Sequence, residues 1–256
     1  MKLRFFILFL LAGLINSCAA LDSLLVPPTP PMPTKTPRPT LTVVWFPPSA
    51  TPSPQYFSTR PPTPEMRPGV GATFLADDFS DASLWDVATS DQASAALDGN
   101  RLNLSAQSKV YMLSLRHETV LSDFYAEITA RPNLCRGEDS YGLLARANAV
   151  AYYRFALSCN GAARAERVSN GAHEILQKPL LSGDVPLGAP GEVRIGVWAV
   201  GNEMRLFLNG RFQFSVTNSN YVIGSIGVFV NSAGDTPAII SFSDLTVKKI
   251  NYSPSP

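Results

Sequence analysis

From Phe74 to Val247 the hydrophobic positions come in short runs, rich in β-branched and aromatic residues and separated by Gly, Asn and Asp. Such runs predict strands, because a pleated, half-buried surface favours these side chains. The clearest stretch is 193–216. Val193, Ile195 and Val197 alternate with Arg194, Gly196 and Trp198, and two further inward sets follow: Met204, Leu206 and Leu208, then Phe212, Phe214 and Val216. A period of two puts each set on one face of its strand, so these residues are the candidate core. Gly201-Asn202 and Asn209-Gly210 bracket one of these strands as tight turns, and Asp98-Gly99-Asn100 joins 94–97 to 101–104 in the same way. Further strands are predicted at 111–116, 124–131, 141–146, 151–158, 163–168, 226–230 and 239–247. After the N-terminal segment, no window sustains the 3.6-residue period of an amphipathic helix. The fold class is therefore all-β. About a dozen strands in roughly 180 residues predict a two-sheet antiparallel sandwich, or jelly roll.

The N-terminal pattern is different. Met1-Lys2-Leu3-Arg4 is a basic start, and residues 5–15 contain only Phe, Ile, Leu, Ala and Gly. Eleven apolar residues fit a signal-peptide core and fall short of a bilayer span. The run closes at Leu14-Ile15-Asn16-Ser17-Cys18, which resembles the bacterial lipoprotein cleavage box. That resemblance implies residues 1–17 as signal and Cys18 as the lipidated residue. It implies a protein exported and lipid-anchored to the outer face of a bacterial membrane, its domain extracellular or periplasmic. An ordinary secretory signal cut near Ala19-Ala20 is the alternative. Setting Cys18 aside leaves Cys135 and Cys159, an even pair in an exported protein, which reads as a disulfide against the alternative of two free thiols.

Composition then separates stalk from domain. Fifteen of the 22 prolines lie between Pro27 and Pro68, so this stretch holds neither helix nor sheet. Residues 18–72 read as a disordered Pro/Thr/Ser-rich linker, 73–250 as the folded domain and 251–256 as a disordered tail. In polyproline II the proline-rich part would reach about 130 Å. Two apolar clusters interrupt it, Val43-Val44-Trp45-Phe46 and Tyr56-Phe57, and a pure spacer does not explain them. From Gly71 to Pro256 there are 15 basic and 18 acidic residues, a net of −3, which argues against a nucleic-acid binder with its concentrated basic face. Two histidines and three cysteines leave little for a transition-metal site, and no cofactor is expected.

An ordered set of motifs carries a wider resemblance. Asp77-Asp78-Phe79-Ser80 with Trp85 opens it, followed by Tyr141-Gly142-Leu143-Leu144-Ala145-Arg146 and Tyr152-Tyr153-Arg154-Phe155. Then come Gly191-Glu192-Val193-Arg194-Ile195, Leu206-Phe207-Leu208-Asn209-Gly210, Gly224-Ser225-Ile226-Gly227-Val228 and Phe242-Ser243-Asp244-Leu245-Thr246-Val247. Over roughly residues 73–249 the chain resembles the concanavalin A-like, laminin-G-type jelly roll, particularly its 3-keto-disaccharide hydrolase-like, family-16-glucanase-like branch. The resemblance implies a sandwich whose concave sheet often holds carbohydrate, and a structural calcium ion to which Asp77, Asp78 and Asp244 could supply oxygens.

The catalytic pattern of the glucanases is a strand written Glu-x-Asp-x-x-Glu. The corresponding strand here, 124–131, has one acid, Glu127, with Thr129 and Arg131 on its face. A retaining glycosidase needs two carboxylates, so no catalytic residue is assigned. Where the 3-keto-disaccharide branch opens a strand with Asn-Ser-Gly, this chain has Asp139-Ser140-Tyr141-Gly142. His117 and His173, each followed by Glu, read as solvated. For a sugar, parity groups Tyr152, Arg154 and Arg146 on one face, and Trp198 completes a candidate patch if its face is the concave one. The leading expectation is a surface-anchored, non-catalytic module that binds carbohydrate or another cell-surface ligand. A glycoside hydrolase and a protein-adhesion module are the rivals.

Overall fold

The computed structural model describes residues 65–252. The signal segment, Cys18, the linker through Pro64 with its two apolar clusters, and the last four residues lie outside the described residues. The regular structure is fifteen strands and one 3-10 turn at Ala82–Leu84, with no α-helix among the described residues. In order these are β1 (Val70–Asp77), β2 (Ala88–Thr89), β3 (Ala93–Leu97), β4 (Leu102–Ala106) and β5 (Tyr111–Leu115). Next come β6 (Phe124–Leu134), β7 (Ser140–Ala147), β8 (Ala151–Ser158), β9 (Ala162–Ser169) and β10 (Ala172–Leu181). The last are β11 (Val193–Val200), β12 (Glu203–Leu208), β13 (Arg211–Thr217), β14 (Ser225–Asn231) and β15 (Ala238–Ile250).

These strands form two antiparallel sheets packed as a sandwich. A nine-stranded sheet runs β13-β12-β11-β6-β15-β4-β3-β2, with β1 also on β15, and a six-stranded sheet runs β10-β9-β8-β7-β14-β5. β15 serves two neighbours on one edge: residues 238–242 pair with β4 and the stretch from Leu245 onward pairs with β1. The register slips between Ser243 and Thr246, where Asp244 takes φ 57°, so the strand bends where it changes partner.

The turn chemistry is as the sequence predicts. Gly99 (φ 56°) with Asn100 (φ 58°), and Asn209 (φ 51°) with Gly210 (φ 77°), are two-residue turns with both central residues left-handed, the geometry that matches strand twist. Between the sheets Val193, Ile195, Val197, Met204, Leu206 and Leu208 meet Tyr141, Leu143, Tyr153, Phe155 and Val228, all buried. Burial of each large apolar side chain contributes on the order of 2 kcal/mol. Cys135, just after β6, is bonded to Cys159, just after β8, so the disulfide staples one sheet to the other across a sequence separation of 24. Closing a loop of that length stabilises by about 3.5 kcal/mol on a chain-entropy account.

Two expectations need correction. Phe212 is not in the inward set: a register shift between Leu206 and Phe207 pairs Leu206 with Phe214 and Phe207 with Phe212, so one extra residue turns Phe212 outward. Its ring packs on Phe207, centroids 5.8 Å apart. The boundary between linker and domain also lies earlier than 73. Val70 pairs with Ile250, and Asn251 N donates to Gly69 O at 2.8 Å, so residues assigned to linker and tail belong to the sheet edge.

Candidate functional site

The four residues grouped from sequence separate into three environments. Trp198 points outward from β11 in the nine-stranded sheet, yet is fully buried, because the chain ahead of β1 lies across it. Its Nε1 donates to Pro68 O at 3.1 Å, and the Arg205 guanidinium lies 4.5 Å above its ring. Arg205 in turn donates to Met66 O at 2.8 Å and to Glu203, and Tyr252 packs at the ring from the C-terminal side. Beside it Arg67 stacks over Tyr125 and Phe207. A side chain at position 196 would meet the Tyr125 hydroxyl at 2.6 Å, so Gly196 makes the room for this aromatic floor. Burial first, then the hydrogen bond to Glu127, pushes the Tyr125 phenol up to about 12 against the opposing pull of Arg67. Trp198 therefore anchors the start of the domain.

Arg146 leaves the predicted face for a local reason. Its φ of 49° breaks the alternation of β7, so Leu144 and Ala147 face outward while Arg146 turns into the end of the sandwich. There, fully buried, it donates to the carbonyls of Ser122 (2.8 Å), Gly201 (2.7 Å) and Tyr221 (3.2 Å). Three loops converge on one guanidinium, a structural role.

Tyr152 and Arg154 remain together on the outer face of the six-stranded sheet. They line a depression of about 450 Å³ with Tyr111, Arg164, His173 and Asn231. The register sets Arg154 opposite Glu166, and Arg154 Nε donates to Glu166 Oε2 at 2.8 Å. Arg164 Nε donates to the other oxygen, Oε1, at 3.0 Å, and its Nη1 to Ser158 Oγ at 2.9 Å. Arg154 lies over the Tyr111 and Phe229 rings and 3.3 Å from His173 Nδ1. Burial would lower the pKa of Arg154, but the Glu166 carboxylate outweighs it and holds the guanidinium charged. The two arginines likewise overcome the burial that would raise Glu166, leaving its pKa below the usual value. Tyr152 is nearly buried and hydrogen-bonded, hydroxyl to hydroxyl, with Tyr111 at 3.2 Å. Burial pushes the Tyr111 phenol upward, so its hydroxyl stays neutral near neutral pH.

The sequence reading left Arg164 out and took His173 as solvated, and the first was within its reach. Folding 151–158 onto 163–168 about the turn at Gly161 puts Arg154 across from Glu166, and alternation then places Arg164 on the same face. His173 reaches the site because β10 continues the sheet beyond β9 and sets His173 opposite Val168.

On the other sheet, Glu127 is committed: its carboxylate accepts from Tyr125 Oη at 2.6 Å and pairs with Arg194. It lines a smaller depression with Thr129, Arg131 and Asp244, in which Glu192 is held by Arg131 at 2.7 Å. The three aspartates considered for calcium are engaged separately. Asp77 is buried against Arg116 at 2.8 Å and accepts from Trp85 Nε1 at 3.2 Å and from Phe79 N at 2.9 Å. Asp78 accepts from Ser80, and exposed Asp244 from Ser243. Among the described residues no group of three or more His, Cys, Asp or Glu side chains is placed to hold a metal ion.

No protein-family model matches this chain, and neither does any curated protein sequence. Solved structures do. The carbohydrate binding module CBM66 from Bacillus subtilis is 16% identical over 65% of this chain and 96% of its own, with a TM-score of 0.52. A β-glucanase from Bacillus licheniformis is 11% identical over 70% of this chain and 98% of its own, with a TM-score of 0.50. A LamA variant from Z. galactanivorans, in complex with laminaritriose and laminaritetraose, is 9% identical over 70% of this chain and all of its own, with a TM-score of 0.51. At these identities the likeness is one of fold. The chain has the concanavalin A-like jelly-roll fold.

Proposed function

We propose that this protein is a non-catalytic carbohydrate-binding module, tethered by a lipid on Cys18 and carried away from the membrane on its proline-rich linker. The observation that carries the reading is the depression on the six-stranded face, where Tyr111, Tyr152, Arg164, His173 and Asn231 present polar groups over a rigid sheet. Sugar hydroxyls need such fixed donors and acceptors, and the continuous ladders of the six-stranded sheet hold them in place, which lowers the ordering cost at binding. A carbohydrate-binding module and glucanases among the fold neighbours support the same class of ligand. The carboxylate of Glu127 is taken up by Tyr125 and Arg194, and that of Glu192 beside it by Arg131, which supports binding without hydrolysis.

The test is a glycan-array screen of the chain lacking only its first 18 residues. A hit that weakens at least tenfold in Asn231→Ala, in protein shown folded by circular dichroism, supports the reading. A blank from folded, disulfide-bonded protein removes it and puts a protein-adhesion module first. Turnover of any bound glycan, abolished by Glu127→Gln, would replace binding with hydrolysis.

A further inference from the structure

The charges around the depression are unequal, and that inequality selects among sugars. Its lining includes three basic side chains, Arg154, Arg164 and His173, and no acidic one. The carboxylate of Glu166, next to both arginines, is shared between them. Two guanidiniums on one carboxylate leave a positive charge unbalanced, in a domain whose overall charge from Gly71 to Pro256 is −3. The local excess thus runs against the charge of the domain.

Geometry shows where that charge is available. Arg154 is buried, committed to Glu166 and sandwiched over Tyr111 and Phe229. Arg164 is half-buried, with Nε on Glu166 and Nη1 on Ser158; among the described residues its Nη2 donates to no partner. Exposed His173 stands across the depression, its Nδ1 turned to Arg154. Stacking surface is scarce, because Arg154 already covers the Tyr111 ring and Tyr152 is nearly buried. A neutral sugar, which relies on aromatic faces, would find little here. An anionic one would find a partly dehydrated guanidinium fixed by two side-chain partners, where a charge-assisted hydrogen bond is shorter and stronger than a neutral one.

We infer that the depression binds an anionic saccharide, with the acidic group of one sugar on Arg164 and neighbouring hydroxyls on Asn231 and the Tyr111–Tyr152 pair. This rests on the carbohydrate reading and narrows it to acidic glycans. The acidic group is a carboxylate or a sulfate, and the two are told apart by the probes.

Calorimetric titration of the chain lacking its first 18 residues would use four probes: oligogalacturonate, its methyl ester, a sulfated galactan oligosaccharide and a neutral laminari-oligosaccharide. The expected result is that one acidic probe binds at least tenfold tighter than the ester and the neutral sugar. The preference should shrink as salt rises from 50 to about 500 mM, since screening weakens exposed charge pairs. It should be lost in Arg164→Gln and largely kept in Arg164→Lys, which retains the charge. Whichever acidic probe is preferred identifies the group. Should Arg164→Gln fail to fold, the acid-to-ester ratio in the unaltered chain and in Arg164→Lys decides. Equal affinity for acid and ester overturns the inference and leaves the carbohydrate reading standing. An acid preference that survives in folded Arg164→Gln overturns this site. No binding of any probe, together with a blank array, overturns both.

Discussion

Each outer face of the sandwich carries an arginine laid over aromatic rings. On the nine-stranded sheet Arg205 covers Trp198 and Arg67 covers Tyr125 and Phe207; on the six-stranded sheet Arg154 covers Tyr111 and Phe229. The first set is roofed by the chain's own Met66–Gly69, whose carbonyls take up the free donors. The second set has no such roof among the described residues and ends in a depression rimmed by cations. An outward tryptophan beside an arginine is thus no more a binding site than its surroundings allow. What distinguishes a site is a set of fixed polar groups that the protein itself does not satisfy.

Removing the anchor on the roofed face is the harshest way to break this comparison. Trp198→Ala should cost about 4 kcal/mol, the usual range for a buried large aromatic, read by urea unfolding. Ligand affinity of the folded fraction should not change; a selective loss of affinity would move the ligand to the nine-stranded face.

The open face has its own weak point. Glu166→Gln leaves Arg154 buried beside an uncharged partner and should cost about 3 kcal/mol. The same pair sets a pH dependence whose sign follows from the lowered carboxylate pKa. Its contribution is complete above the unfolded carboxylate value of about 4.3 and is lost as pH falls through the folded one. Thermal melts of the unaltered protein should therefore weaken below about pH 4. Glu166→Gln should lack this component, and identical slopes would disprove it.

Loosening the roof without removing the anchor is milder. Arg205→Gln gives up the stack on Trp198 and the bond to Met66 O, about 1 kcal/mol. Amide exchange at residues 66–70 should speed up, while the β7–β9 ladders stay protected. Uniform acceleration would mean that the roof and the sheet open as one.

The two histidines give the gentlest test. His117 is held by Asp86 Oδ1 at 2.6 Å and Ser83 O at 3.0 Å, and these partners, Asp86 first, raise its pKa. Its proton-linked stabilisation is present below the unfolded value of about 6.5 and fades as pH rises through the folded one, so an NMR titration midpoint above 6.5 is expected. A ligand on the six-stranded face should shift the His173 ring signals and leave those of His117 in place. The reverse pattern would put the ligand at the opposite edge of that sheet, beside β5.

Much of the architecture was legible from alternation and turn residues, because both are local. The β11 and β12 faces follow from a period of two, and the Asn209-Gly210 turn from the dihedrals those residues tolerate. Failures arose wherever one residue broke that period. A left-handed Arg146 and an extra residue near Phe212 each reversed a face, and nothing in the apolar pattern marks either. Trp198 failed differently. Its parity was read correctly, but its cover comes from Met66–Gly69, over a hundred residues away in sequence. The depression followed the same rule: Tyr152 and Arg154 were placed side by side because they share a strand, whereas bringing His173 beside them required the pairing of β9 with β10.

The roof also determines how the domain meets mechanical load. A pull on the chain ahead of Glu65 reaches Met66, Pro68 and Gly69 first, whose carbonyls are gripped by Arg205, Trp198 and Asn251. These holds fall on nearby residues, so tension meets them in turn before it reaches the β1–β15 ladder. Under any pull from that side the segment would act as strain relief, peeling first while the depression on the opposite sheet keeps its shape.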